Sequence, residues 1–292
     1  MHSQIDRTAI WLSARLAPHF FTDSLDSPSF ADQLHEVRLT VPDLDGPGDY
    51  PVKASSHIGD LNALIRIAQW RGAKPTLIYH HGTAEKPFDA SFRRIFPQVK
   101  DVDANLIVVR APYHEEPKRF TNKMRRVANY LAMMAVGVRA IEHVVNVARS
   151  RGATKVIIAG ASLGGAITNR HHIHCNTADA YCPMLASPLM GDVFLESAYA
   201  MKVGKRAKAD PDRIRSLFNF HREWASVPDK NVFPLLAKHD AVIPYAHHRA
   251  AYGRLTVATI PKGHITAMLS GKLMRDHLAK QMSAAIAGPR PG

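Results

Sequence analysis

The chain has 292 residues, 46% of them hydrophobic, and carries 38 basic against 25 acidic side chains, a formal net charge of +13. That apolar content excludes a disordered chain, and the length suits one α/β domain (1–292) with insertions. The positive balance suits nucleic acid, an anionic membrane or an anionic substrate, but no nucleic-acid motif accompanies it, so a solvated surface is the preferred reading.

Cys175 and Cys182 are too few for a disulfide framework. Arg7 and Arg15 bracket a short apolar run, Ala9 to Leu12, too brief for a signal sequence. The most apolar stretch, Tyr130 to Val138, ends at Arg139 and is too short to span a bilayer. The expectation is a cytoplasmic protein without a membrane span or nucleic-acid partner, acting on a small molecule.

Ile5, Ala9, Leu12 and Leu16 recur at helical spacing and predict a helical arm, within residues 1–33, packed on the body. Leu34 to Val41 alternates like a strand, with Val52 to His57 as a hairpin partner. Short apolar runs follow at Thr76 to His80 and Asn105 to Val109. A long helical pattern covers Thr121 to Ser150, closed by Gly152. Lys155 to Ala159 is a buried-type strand leading into a helix that runs to about His174. Asp179 to Ala186, Val232 to Ala237 and Leu255 to Ile260 are further strands, and the last helix begins near Thr266. Apolar strands alternating with helices predict a mostly parallel sheet covered on both faces. Residues of about 190–227 break the rhythm and predict a small helical cap over the sheet's end, with Gly204 as its flexible joint and Pro211 opening its second helix.

The chemistry centres on Gly160-Ala161-Ser162-Leu163-Gly164-Gly165, which follows an apolar strand directly. Strand, tight turn and helix around G-x-S-x-G push a serine hydroxyl out above a sheet, where the helix N-terminus favours negative charge. A serine hydroxyl needs a base, and the base an orienting acid. His264, in Lys262-Gly263-His264 after the last strand, is the candidate base, and Asp240, in Lys238-His239-Asp240, the candidate acid; His239 is the nearest rival. His80-His81-Gly82-Thr83 after a strand suggests an oxyanion site, with the backbone amides of Thr83 and Leu163 as donors.

These motifs, HHGT, GASLGG, a late Asp240 and Gly263-His264 in that order, resemble the α/β-hydrolase superfamily from about residue 34 to 285. The resemblance implies an eight-stranded, mostly parallel sheet with helices on both sides and a Ser-Asp-His order of catalytic residues. It implies a carboxylic ester or thioester hydrolase working through an acyl-serine, requiring neither cofactor nor metal. An acyltransferase on the same triad and a non-catalytic binding protein of this fold are the alternatives, since fold alone does not choose among them.

His171, His172 and His174, beside Cys175, have no acidic ligand at motif spacing and read as helix-end histidines. Two basic runs stand out: Lys118, Arg119, Lys123, Arg125 and Arg126, and then Lys202, Lys205, Arg206, Lys208, Arg213 and Arg215. Solvated helix faces are the preferred reading; the other is a pocket rim favouring an anionic substrate.

Overall fold

The apolar runs of the sequence become neighbouring strands because both of their faces are covered. Along the strand Thr76–His80, Leu77 and Tyr79 belong to one buried cluster and Ile78 to the other, and the same alternation splits Leu106 and Val108 from Ile107 and Val109. A strand buried on both faces has no polar side to show, so it reads as a continuous apolar run.

The computed structural model describes residues 1–83, 85–228 and 231–287. Its first half contains α1 (His2–Leu16), α2 (Phe30–Glu36), β1 (Arg38–Thr40), β2 (Gly48–Ser56), β3 (Gly59–Gln69), β4 (Thr76–His80), α3 (Ala90–Ile95) and β5 (Asn105–Arg110). Then come α4 (Pro117–Lys123), α5 (Val127–Ser150), β6 (Val156–Ala161), α6 (Leu163–His174) and β7 (Ala180–Met184). The insertion holds α7 (Met190–Glu196), α8 (Lys205–Ala209), α9 (Pro211–Phe218) and α10 (His221–Ala225). The chain closes with β8 (Leu235–Ala237), α11 (Tyr245–Ala250), β9 (Ala258–Ile260), α12 (His264–Met268) and α13 (Gly271–Ala287).

Among the described residues nine strands form one sheet in the order β1-β2-β3-β5-β4-β6-β7-β8-β9. The β1/β2, β2/β3 and β3/β5 pairs are antiparallel, and every pair from β5/β4 onward is parallel. Nine strands stand where eight were expected, and β1 is a three-residue edge. Helices α5 and α6 cover one face, with Val144 and Ile167 in its cluster; α3 and α13 cover the other with Phe92, Ile95, Met274 and Leu278.

Four expectations need correction. The strand expected over Leu34 to Val41 begins inside α2, which holds residues 34–36: Ser29 caps that helix by accepting from the Asp32 N–H, and pairing starts only at Arg38. The sequence reading passed over β3, although Leu61, Ala63, Ile65 and Ile67 alternate as buried residues along it. The long helix from Thr121 is broken at residues 124–126, because Met124 and Arg125 carbonyls accept from Phe21 and Asp23 while Val127 N–H donates to Ser24. Lastly, α1 does lie on the body, but not through its apolar stripe: Ile5, Leu12 and Leu16 are 39%, 50% and 78% exposed, whereas Asp6 is fully buried.

The 24-residue α5 is long and apolar enough, by length and composition, to cross a bilayer; its apolar character continues past Arg139. In the fold it is the central core helix, with 72% of its most apolar window buried.

Candidate active site

The carboxyl ends of β4, β6, β8 and β9 lead into the loops bearing Thr83, Ser162, Asp240 and His264, at the sheet edge where open α/β folds place ligands. Ser162 occupies the turn between β6 and α6 with φ 56° and ψ −115°, a conformation L-residues avoid. The glycines permit it. A Cβ on Gly160 would lie 2.4 Å from the Gly164 backbone, and one on Gly164 only 2.0 Å from the His80 carbonyl oxygen. Leu163 is the first residue of α6, so its N–H has no carbonyl a turn earlier within the helix to bind.

The structure brings the three predicted side chains into one hydrogen-bonded line. His264 Nε2 lies 3.0 Å from Ser162 Oγ, and His264 Nδ1 lies 2.8 Å from Asp240 Oδ2. Asp240 Oδ1 accepts from the N–H groups of Val242 and Ile243, each at 2.7 Å, so the carboxylate cannot rotate away from the imidazole without losing both. Burial pulls the His264 pKa down, but the charge and hydrogen bond of Asp240, with the charge of Asp6, outweigh it and leave it raised above 6.5. The rival His239 lies elsewhere, its ring stacked on that of His2 at 6.0 Å.

Strands β4 and β6 are neighbours, with His80 opposite Gly160, so the HHGT loop runs beside the serine turn. Thr83 lines the same cavity as Ser162 and Leu163. Both histidines of the motif are fully buried. His81 Nδ1 lies 2.7 Å from the Gly82 carbonyl, and its Nε2 accepts from the Ala111 N–H at 3.0 Å. Burial pushes the His81 pKa well below its ordinary value and that of His80 down to about 3. They fix the chain path in neutral form.

Two residues that sequence reasoning missed serve this edge. Glu85 Oε1 accepts from the Gly82 N–H at 2.6 Å and from the Ser91 hydroxyl at 2.8 Å, which ties the HHGT loop to α3. Asp6 reaches the edge from α1 and accepts from the backbone of His264. Neither stands in a motif; the sole sequence signal for Asp6 is Gly263, where a Cβ would lie 2.7 Å from its Oδ2.

Ser162 sits between two spaces. The inner one, about 40 Å³, is walled mainly by Tyr130, Leu185, Met190, Val193, Phe194 and Ile243. The other, a cleft of about 300 Å³, is bordered by Arg94, Lys202, Met268 and Leu269. The insertion between β7 and β8 therefore borders the serine through Met190, Val193, Phe194 and Tyr199. Phe194 meets Phe21 at 5.0 Å, Tyr130 at 5.4 Å and Phe218 at 4.9 Å, all edge-to-face, the contacts of a packed wall. Pro211 opens α9 as predicted, capped by Asp210. Gly204 is not a free joint: its N–H bonds Phe20, and a Cβ would meet Thr22 at 2.7 Å.

Much of the basic charge is engaged with the body. Arg125 and Arg206 bind the side chain and carbonyl of Asp23, Arg213 binds the Ser27 carbonyl, and Arg215 pairs with Asp192 and Glu196. Lys202, expected to face outward, is buried with its Nζ 2.8 Å from Ser13 Oγ. The Lys118 side chain lies outside the described residues.

Farther along α6, about 13 Å from Ser162 by helical rise, Glu142, His171 and Cys175 place three ligand-type atoms within 4.8 Å of one another. Glu142 comes from α5, outside any local spacing motif. Its carboxylate accepts from the Thr177 hydroxyl at 2.6 Å and lies 3.0 Å from His171 Nε2, while burial pushes the Cys175 thiol up to about 12. Glu142, His171 and Thr177 form a hydrogen-bond cluster beside Cys175.

No protein-family model and no curated protein matches the sequence. Solved structures do resemble the fold. Acetyl xylan esterase 1 from Thermoanaerobacterium sp. JW/SL YS485 superposes with a TM-score of 0.54 at 12% identity, over 91% of this chain and 93% of that one. An acetyl xylan esterase from Paenibacillus sp. R4 gives 0.52 at 12%, over 94% and 93%. An acylaminoacyl peptidase from Pyrococcus horikoshii gives 0.54 at 12%, over 85% of this chain and 43% of that longer one. With the sheet order, the serine turn and these likenesses together, the chain has the α/β-hydrolase fold.

Proposed function

We propose that the protein is a serine hydrolase that cleaves a carboxylic ester or thioester of a short acyl group. The observation that carries this reading is the continuous line from Ser162 Oγ through His264 to Asp240, with contacts of 3.0 and 2.8 Å, at the mouth of an apolar cavity.

In this reading Ser162 Oγ attacks the carbonyl carbon while His264 Nε2 takes its proton. The carbonyl electrons move onto oxygen, which the amides of Leu163 and Thr83 stabilise; donors in place before charge develops need no reorganisation. As the carbonyl re-forms, the bond to the leaving group breaks and His264 returns the proton to that alcohol or thiol. Water then attacks the acyl-serine, again giving a proton to His264, and the acid leaves as Ser162 recovers its hydrogen. Asp240 holds the imidazole in the required tautomer and supports its charge.

The inner cavity sets the acyl group. Its small volume, about 40 Å³, and its apolar walls suit a short acyl chain. The wider cleft on the other side of Ser162 suits the leaving group. Two proteins of similar fold are acetyl xylan esterases, which supports a short acyl group.

A panel of p-nitrophenyl esters and thioesters from acetyl to octanoyl, with Ser162→Ala as blank, tests this directly. The expected result is serine-dependent turnover with kcat/KM highest from acetyl to butyryl. Turnover that survives Ser162→Ala, or rises steadily to octanoyl, contradicts the reading.

A further inference from the structure

Asp6 is fully buried, and its carboxylate accepts three backbone N–H bonds from the opposite end of the chain. Oδ2 accepts from His264 at 2.7 Å and from Ala241 at 3.1 Å; Oδ1 accepts from Ile265 at 2.9 Å. Its donors are thus the backbone of the base itself, the residue after the base, and the residue after Asp240. One side chain on α1 clasps the two loops whose side chains must meet.

We propose that Asp6 is a positioning residue for the Ser162–His264–Asp240 site: it locks the His264 loop to the Asp240 loop and thereby holds the imidazole in line with the serine. The proposal rests on the reading of that site given above.

Several observations carry it. A carboxylate is an acceptor-only group, and here it faces donors only. Gly263 is shaped to receive it, since a Cβ there would lie 2.7 Å from Asp6 Oδ2 and 2.9 Å from the His2 carbonyl oxygen. The same end of α1 holds the two loops again, because His2 Nδ1 lies 3.1 Å from Thr266 Oγ1 while its ring stacks on His239. Apolar packing contributes little to the docking: Ile10 packs on the core, but Ile5, Trp11, Leu12 and Leu16 are exposed. Finally, Asp6 adds negative charge beside His264 and favours the imidazolium that forms when serine gives up its proton.

Asp6→Asn tests the idea. The substitution keeps size and shape, removes the charge and turns one acceptor oxygen into a donor facing an amide. The expected kcat falls about 10- to 100-fold, the scale of lost outer-shell support, with KM nearly unchanged. A second readout needs no turnover: the His264 ring signal in an NMR titration, assigned by its loss in His264→Gln, should move to lower pH. Asp240, from the β8 loop, also faces His264, and Glu85, Arg94 and Lys202 line the cleft beside it. All four are unchanged in Asp6→Asn, so the movement reports Asp6.

A folded Asp6→Asn with wild-type kcat and an unmoved titration overturns the proposal. So does lowered thermal stability with kcat per fluorophosphonate-reactive serine unchanged, since Asp6 would then be structural only. Should Asp6→Asn not fold, His2→Ala removes the second tie at the same end, with an expected few-fold drop in kcat; unchanged kcat there overturns the proposal. If the wild-type protein turns over no ester, the hydrolase reading falls, and the titration alone decides for or against Asp6.

Discussion

His264 and His81 stand at the same sheet edge and are both buried, yet their surroundings drive them in opposite directions. His264 faces Asp240 and Asp6, and their charges outweigh burial and raise its pKa. His81 has backbone partners and two further histidines, His80 and His114, as its charged-form neighbours, so burial and repulsion both lower it. Burial alone therefore does not set the direction: at His264 the charges of Asp240 and Asp6 reverse it, whereas at His171 burial outweighs the Glu142 carboxylate. The first is equipped to gain and lose a proton during turnover, and the second to remain a neutral strut between the Ala111 N–H and the Gly82 carbonyl.

The largest expected difference between the two is in turnover. His264→Ala or Asp240→Asn should lower kcat by about 10³- to 10⁶-fold, because the three side chains work as one unit. His81→Leu should retain far more activity, because its ring touches none of the three. Steady-state kinetics on p-nitrophenyl acetate measures both, and equal losses would erase the distinction.

The second difference concerns pH. His264 must be neutral to accept the serine proton, and its pKa is raised, so kcat/KM should fall as pH drops through a value above 6.5. His80 and His114 have folded pKa values lowered to about 3 and about 4, and that of His81 is lower than usual. A basic group lowered on folding contributes stability that is full above its unfolded pKa near 6.5 and is lost as pH falls toward the folded value. Activity should therefore disappear first, at a pH where the fold persists, and thermal stability should decline later, from about 6.5 toward 4. Parallel rate and melting profiles check the order, and coincident declines would contradict it.

The smallest expected effect is His81→Leu on stability. It leaves the Ala111 N–H and Gly82 carbonyl without their side-chain partner, a loss of about 1–3 kcal/mol. Denaturant unfolding measures it, and the acid limb of kcat/KM should stay where it is.

The serine turn was legible in the sequence because steric necessity left a local trace: Gly160 and Gly164 stand where a Cβ would strike backbone. The order Ser162, Asp240, His264 was legible too, because each follows a strand end. Asp6 was not, since its three partners lie 235 to 259 residues away and a single aspartate within a helix shows no pattern. The apolar periodicity of α1 misled for a related reason: it describes a stripe without saying which face docks, and here a buried carboxylate won over exposed leucines. The α4–α5 break escaped because its cause, the 21–24 backbone, is tertiary, and Glu85 because its bond to the Gly82 N–H, though local, follows no motif.

The central claim is that Ser162 forms a covalent intermediate activated by His264. Reaction with a fluorophosphonate, followed by peptide mass spectrometry, tests it most directly. The account predicts a single adduct on Ser162, absent in Ser162→Ala and formed far more slowly in His264→Ala. An adduct on a different residue, or none under conditions where the wild-type protein is folded, would contradict it.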